Sequence, residues 1–209
     1  MTRGDQAPIS RYKRALRRRL DQLDPAGRAA FAAACAERLL PAYRRFHEQT
    51  GRGEPQALAV ALATLWRQLA GQEVPAAELE RQARRAVALL DEPAEGEWSE
   101  LSPYAEDAVA AVAYALQCYL QGESQQAFWA AYCVYRTLDT FIDDRDHLDP
   151  NAPGVAERIA ADPLIQAELA RQAEDLADLA ATRDQPAERA ALLPQLRDRA
   201  VRHGARLFG

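Results

Sequence analysis

Lysine is almost missing from this 209-residue chain: Lys13 is the only one, and arginine carries the rest of the positive charge. Cysteine is scarce and odd in number. Cys35, Cys118 and Cys133 form no CxxC pair, which excludes a dithiol redox motif and the usual cysteine zinc site. Each sits in an apolar periodic segment, where a free thiol acts as a small hydrophobe, and a reduced, cytoplasmic interior is the expected setting. No apolar run approaches bilayer length, and no charged n-region leads into an apolar h-region, so neither membrane insertion nor secretion is expected. GxSxG elbows, HExxH pairs and glycine-rich phosphate loops are missing too. His47, His147 and His203 are far apart in sequence and are expected at the surface, which leaves nucleophilic and histidine-metal catalysis without a candidate. A net charge of −5 and a pI near 5.3 make the molecule as a whole unattractive to a nucleic-acid duplex or an anionic membrane.

What the sequence does have is alanine and helical spacing. Asp24-Pro25, Ser102-Pro103, Asp149-Pro150 and Asp162-Pro163 each place a capping side chain before a residue whose missing N–H costs nothing at the first helical position. Glycines after periodic segments, at Gly51, Gly71, Gly122 and Gly204, mark stops where a left-handed residue closes the last turn. These signals predict a disordered start over 1–9 and one all-helical domain over 10–209. Its helices are expected near 10–23, 25–49, 55–70, 75–91, 103–121, 124–145, a short turn at 151–160, 162–182 and 186–203, with looser stretches at DEPAEGEWSE and TRDQPAE. The fold class is all-α, a multi-helix bundle of about eight to nine helices.

Apolar residues recur every three or four positions along these segments. Phe31, Cys35, Leu39, Ala42 and Phe46 form one stripe, and Leu58, Leu62, Leu65, Trp66 and Leu69 another. Pro41 removes one ladder bond from the first and predicts a kink without a break. The segments 103–121 and 124–142 are apolar on most sides, which places both in the middle of the bundle.

The densest charge lies at LDTFIDDRDHLD, residues 138–149. Extending the helix from Phe128 through Tyr132, Tyr135, Asp139, Ile142 and Asp146 follows one seam, so Asp139 is expected to face inward beside two tyrosines, with Asp143 one turn on. Carboxylates four residues apart on a helix can share a divalent cation, and magnesium commonly bridges such a pair to phosphates. RTLDTFIDD resembles the aspartate-rich helix of squalene and phytoene synthases, which hold magnesium-diphosphate in this way. A second acidic helical element, EDLAD, offers Glu174, Asp175 and Asp178. The metal candidates are therefore Asp139, Asp143, Asp144, Asp175 and Asp178, with magnesium as the ion. The competing reading is a solvated helix end, with Arg136 as partner for Asp139, Arg145 offsetting the cluster, and Arg171 four residues before Asp175. An EF-hand is excluded by Leu148 at a ligand position and by the missing turn glycine.

RYKRALRRRLDQLD places Arg11, Arg14 and Arg18 on one face with Arg17 and Arg19 beside them, which could track a phosphate backbone, and a nucleic-acid contact would use Arg11, Arg14, Arg17 and Arg18. Without interleaved aromatics for stacking, the alternative is a terminal helix docked through Tyr12, Leu16, Leu20 and Leu23. Asp107 falls early in an otherwise apolar helix, where helix-dipole stabilisation is the default reading.

The stretch FAAACAERLLPAYRRFHEQTGRGEPQALAVALATLWRQL, through Phe31, Cys35, Glu37, Arg38, Pro41, Tyr43, Phe46, Gln49, Thr50, Gly51, Gly53, Leu65 and Trp66, resembles the bacterial YjaG-like family, the domain of unknown function 416. Asp107 and Ala108 match its central helix, and the likeness runs from about Ala29 to the last helix. It implies an all-helical cytoplasmic protein and brings no activity with it. The leading expectation is a non-enzymatic interaction or regulatory protein with a protein partner or a second copy of itself. A magnesium-dependent binder of a phosphorylated ligand and a nucleic-acid-associated protein are the alternatives.

Overall fold

A computed structural model describes residues 7–91, 99–149 and 151–208. Among the described residues the chain forms nine helices and no strand: α1 (Ala7–Asp21), α2 (Pro25–Thr50), α3 (Pro55–Leu69), α4 (Ala76–Asp91), α5 (Ser102–Gln121), α6 (Ser124–Asp146), α7 (Val155–Ala161), α8 (Pro163–Ala181) and α9 (Pro186–Phe208). Of the expected disordered start, residues 1–6 lie outside the described residues and 7–9 already belong to α1. Most of DEPAEGEWSE, and Pro150 of the Asp149-Pro150 signal, also lie outside them.

The helix starts follow local chemistry. Asp24 Oδ1 accepts from the Gly27 N–H at 3.1 Å and Asp162 Oδ1 from the Leu164 N–H at 2.8 Å, so two of the four proline-marked caps operate as expected. Ser102 does not cap. It lies inside α5, and its Oγ accepts from the Ser99 N–H at 3.3 Å. Gly51 and Gly122 close α2 and α5 at φ of 69° and 74°, donating to the carbonyls of His47 and Cys118.

Gly204 was expected to stop the last helix, and it does not: α9 continues to Phe208 with Gly204 buried inside it. The reason is a helix crossing. A Cβ at this position would stand 2.7 Å from the carbonyl oxygen of Arg38 and 3.0 Å from its Cα, so the missing side chain is what lets α9 lie against the backbone of α2.

The packing also adds a central helix. α5 and α6 pack on each other in the middle of the bundle, and α2, which touches α3, α5, α6, α8 and α9, lies there with them. Ala29 through Ala36 are all sealed from solvent, as are Phe31, Cys35 and Leu39 of the expected stripe, and α2 runs unbroken through Pro41. A run of small side chains allows helices to close on several faces at once, which a one-sided stripe did not anticipate. Buried within this helix, Glu37 Oε1 accepts from Trp66 Nε1 on α3 and Arg197 Nε on α9, both at 3.0 Å. Cys35, Cys118 and Cys133 are free and buried. A smaller apolar cluster of Tyr135, Leu138, Ile142, Ile159 and Ile165 joins α6, α7 and α8. Among the described residues no helix is long and apolar enough to cross a membrane.

Candidate binding groove

α1 reaches the bundle through an aromatic ladder. Tyr12 stacks on Tyr135 of α6 with centroids 5.2 Å apart, and Tyr135, Tyr132 and Phe128 continue the stack at 6.1 and 6.0 Å. The Lys13 ammonium sits 4.2 Å above Tyr132 and the Arg17 guanidinium 4.2 Å above Phe128. Cation–π contacts of this kind stabilise by about 0.5–1 kcal/mol each at exposed sites. They also divide the basic helix. Of Arg11, Arg14, Arg17 and Arg18, Arg17 is turned onto α6, while Arg11 and Arg18 line a groove together with Arg19 and without Arg14.

That groove, about 690 Å³, runs between α1 and α8. Its α8 wall is Ile165, Leu169, Ala173 and Leu176, its floor includes Tyr12, Tyr135 and Gln172, and the α1 rim holds the three arginines. No Asp, Glu, His, Cys, Ser or Thr belongs to its described lining.

Beneath the floor lies a chain of buried polar groups. The Tyr12 hydroxyl donates to Gln172 Oε1 at 2.9 Å, and Gln172 Nε2 donates to Glu168 Oε1 at 3.0 Å. Arg38 of α2, at 0% exposure, donates to Glu168 Oε1 at 3.0 Å and also to Asp175, whose side chains are 1% and 3% exposed. From α9, Arg199 donates to Asp175 at 2.9 Å, Asp178 at 2.8 Å and Glu174 at 3.1 Å. Burial pulls the Arg38 guanidinium down, but Glu168, Cys35 and Asp175 outweigh it and hold the group charged. Burial pushes the Tyr12 hydroxyl well up, with Cys35 and Glu168 adding to it, so Tyr12 remains a neutral donor. His203 is not the surface residue expected. It is half-buried, and burial together with Arg171, Arg38, Arg206 and Arg199 lowers it to about 4.

Of the five metal candidates, Asp143 is half-buried on α6, close enough to Asp139 to act on its carboxyl, and the other four are placed as follows. Asp175 and Asp178 are engaged by the arginines above. Asp144 accepts from the Tyr104 hydroxyl at 2.6 Å. Asp139 is half-buried, its carboxyl raised by burial and then by Asp143, and Arg136, its partner in the solvated-end reading, is turned instead to Asp107. Among the described residues no three His, Cys, Asp or Glu side chains converge as a metal would require.

The first-turn dipole reading of Asp107 gives way to a tertiary one. Asp107 is 2% exposed and accepts from Thr137 Oγ1 at 3.0 Å and from Arg136, tying α5 to α6. Burial raises its carboxyl to about 6, against the lowering effects of Arg136 and Thr137. The folded state therefore holds this proton more tightly than the unfolded chain. The stabilisation is complete below the unfolded value near 3.8 and is lost as pH rises through about 6. His203 acts oppositely, contributing above its unfolded value of 6.5 and losing that contribution as pH falls towards 4. The expected result is that wild-type stability minus that of Asp107→Asn declines steadily from pH 4 to 6 in urea titrations. A difference independent of pH would contradict the raised carboxyl.

Arg38, Glu168 and Gln172 were not among the expected site residues. One signal was present: Ile165, Glu168, Gln172, Asp175 and Leu179 recur at three and four residue steps, so three polar residues occupy the buried stripe of α8.

A family model described as "Protein of unknown function (DUF416)" matches residues 15–206. The crystal structure of a DUF416 family protein from Shewanella baltica superposes with a TM-score of 0.75 at 23% identity, covering 89% of this chain and 93% of that one. No protein of curated function matches.

Proposed function

The chain belongs to the DUF416 family, and from that premise, which carries a fold and no activity, we propose that it is a non-enzymatic interaction protein whose docking face is the groove between α1 and α8. One observation carries the reading: among the described residues the groove is lined by arginine, tyrosine, glutamine and apolar side chains, with no carboxylate, imidazole, thiol or hydroxyl of serine or threonine. Nucleophilic and acid–base chemistry draws on those groups or on an activated tyrosine, and burial raises both Tyr12 and Tyr135 away from activation, whereas aromatic and arginine side chains with a surrounding apolar wall are the composition of recognition surfaces. The carboxylates closest beneath the floor, Glu168 and Asp175, are already paired with Arg38.

The test places a photoreactive benzophenone side chain at Ala173, in the groove wall, and at Ala170, on the exposed side of α8, in the full chain inside cells. A discrete crosslinked adduct is expected from position 173 and not from 170. No adduct at 173, or the same adducts at both positions, would overturn the docking face.

A further inference from the structure

We propose that the groove takes an acidic amphipathic helix of a partner protein, its apolar face on the half-buried Leu169 and Ala173 and its carboxylates on Arg11, Arg18 and Arg19. The inference rests on the groove being a docking face and names what docks there. Charge is the first argument. Arg11, Arg18 and Arg19 are exposed, and none forms an ion pair among the described residues, although the chain carries 31 acidic residues against 26 basic ones. Of the other basic side chains of this stretch of α1, Lys13 and Arg17 are turned onto α6, and Arg14 is exposed outside the groove. Among the described residues no carboxylate lines the groove, and the arginine field over it complements an acidic ligand.

Shape is the second argument. The Tyr12 hydroxyl meets Gln172, and the Gln22 carbonyl, ten residues on, accepts from Arg183 at 3.0 Å, so α1 and α8 run in the same direction. The lining extends from Pro8 to Gln22 on one wall and from Ile165 to Leu176 on the other. At 1.5 Å per residue these are walls of about 21 and 16 Å, the length of three to four helical turns. Arg11 and Arg18 are seven residues apart, about 10 Å along α1, which matches carboxylates two turns apart on a helix lying alongside.

The chemistry of the walls selects a helix over an extended segment. Both walls are α-helices whose backbone groups are bonded internally, so a strand laid between them finds no edge to pair with. A helix brings its own backbone bonds and needs only side-chain contacts. The arginines and leucines also line a concavity, whereas a lipid surface is met by a convex or flat face.

The probe is a fluorescein-labelled helical peptide of about four turns, leucines along one face and glutamates beside them, compared with the same peptide carrying glutamine at every glutamate. Anisotropy titrations against the full chain are expected to show the acidic peptide binding roughly tenfold or more tightly at low salt, with the gap narrowing as salt rises. Reversing the rim with Arg18→Glu and Arg19→Glu is expected to remove that preference, while Arg14→Glu, off the groove, changes affinity by less than about threefold. Because the rim residues are exposed, unchanged thermal unfolding of each variant checks the fold. Equal binding of both peptides overturns the acidic preference and leaves the docking face standing; a crosslink at position 173 with neither peptide binding does the same. Binding to phosphatidylserine vesicles that Arg18→Glu and Arg19→Glu abolish, with no peptide binding, overturns the protein helix in favour of a membrane. Self-association lost in the same variant would make the occupant a second copy and overturn the separate partner.

Discussion

Arg38→Met is expected to lower the unfolding free energy by about 3–5 kcal/mol, the range seen when one member of a buried charge network is removed. Arg38 is fully sealed from solvent and bonds to Glu168 on one side and Asp175 on the other. Methionine has a similar reach and fills the space, so the loss comes from two carboxylates left facing an apolar side chain. Arg199 still holds Asp175 at 2.9 Å, but Glu168 keeps only Gln172 at 3.0 Å and Arg171, whose guanidinium is 3.8 Å away. Glu168 therefore bears most of the penalty. For a chain of this size the loss corresponds to roughly 6–20 °C in Tm. Adding Glu168→Gln and Asp175→Asn to Arg38→Met should restore at least about 1 kcal/mol, because neutral amides lose far less on burial than unpaired carboxylates. Denaturant titration of the single and triple variants decides the matter. If the triple variant is no more stable than the single, charge burial is not what holds this junction.

Gly204→Ala is expected to destabilise the protein by about 1–3 kcal/mol, against the usual sign for a helical glycine, where alanine gains up to about 1 kcal/mol. The new Cβ would lie 2.7 Å from the Arg38 carbonyl oxygen, 3.0 Å from its Cα and 3.1 Å from its carbonyl carbon. All three are backbone atoms, so no rotamer change makes room and α9 must move away from α2. Gly204→Val should cost more, since its branched side chain has less freedom in a helix. The clash lies on Arg38 itself, so the alanine variant should couple with Arg38→Met: the summed effect of the two single changes should differ from that of the pair by about 0.5 kcal/mol or more. A stabilising effect of Gly204→Ala in urea titrations would show that the helices are not in contact there.

The helical architecture was legible because its causes are local. Asp24 and Asp162 act within three residues of themselves, Gly51 and Gly122 end their helices by their own φ, and the apolar stripes of α2 and α3 are set by the 3.6-residue repeat. Where the same residue types have a distant partner, the local reading failed. Gly204 carries the composition of a stop and serves as a crossing point. Ser102 has a capping side chain and is used inside its helix. Asp107, expected to serve α5 alone, ties that helix to α6. Arg136 was one of the partners open to Asp139, three residues away, but Asp107, twenty-nine residues from Arg136, takes that guanidinium. The basic face of α1 was visible as a run of arginines, and which of them are turned onto aromatic rings was not.

By itself, then, the sequence determined the fold class, nearly every helix boundary and the absence of a serine, histidine or cysteine catalytic motif, since each follows from short-range periodicity, capping and spacing. Tertiary structure alone decided that Arg38 is buried with Glu168 and Asp175, that Gly204 admits α9 to the backbone of α2, and that Arg11, Arg18 and Arg19 face an apolar wall across a groove. These pairings join positions more than a hundred residues apart, as Arg38 and Asp175 are. A charged side chain has no periodicity that identifies its partner; only the crossing of helices brings the two together and sets whether the charge is compensated or left to bind something else.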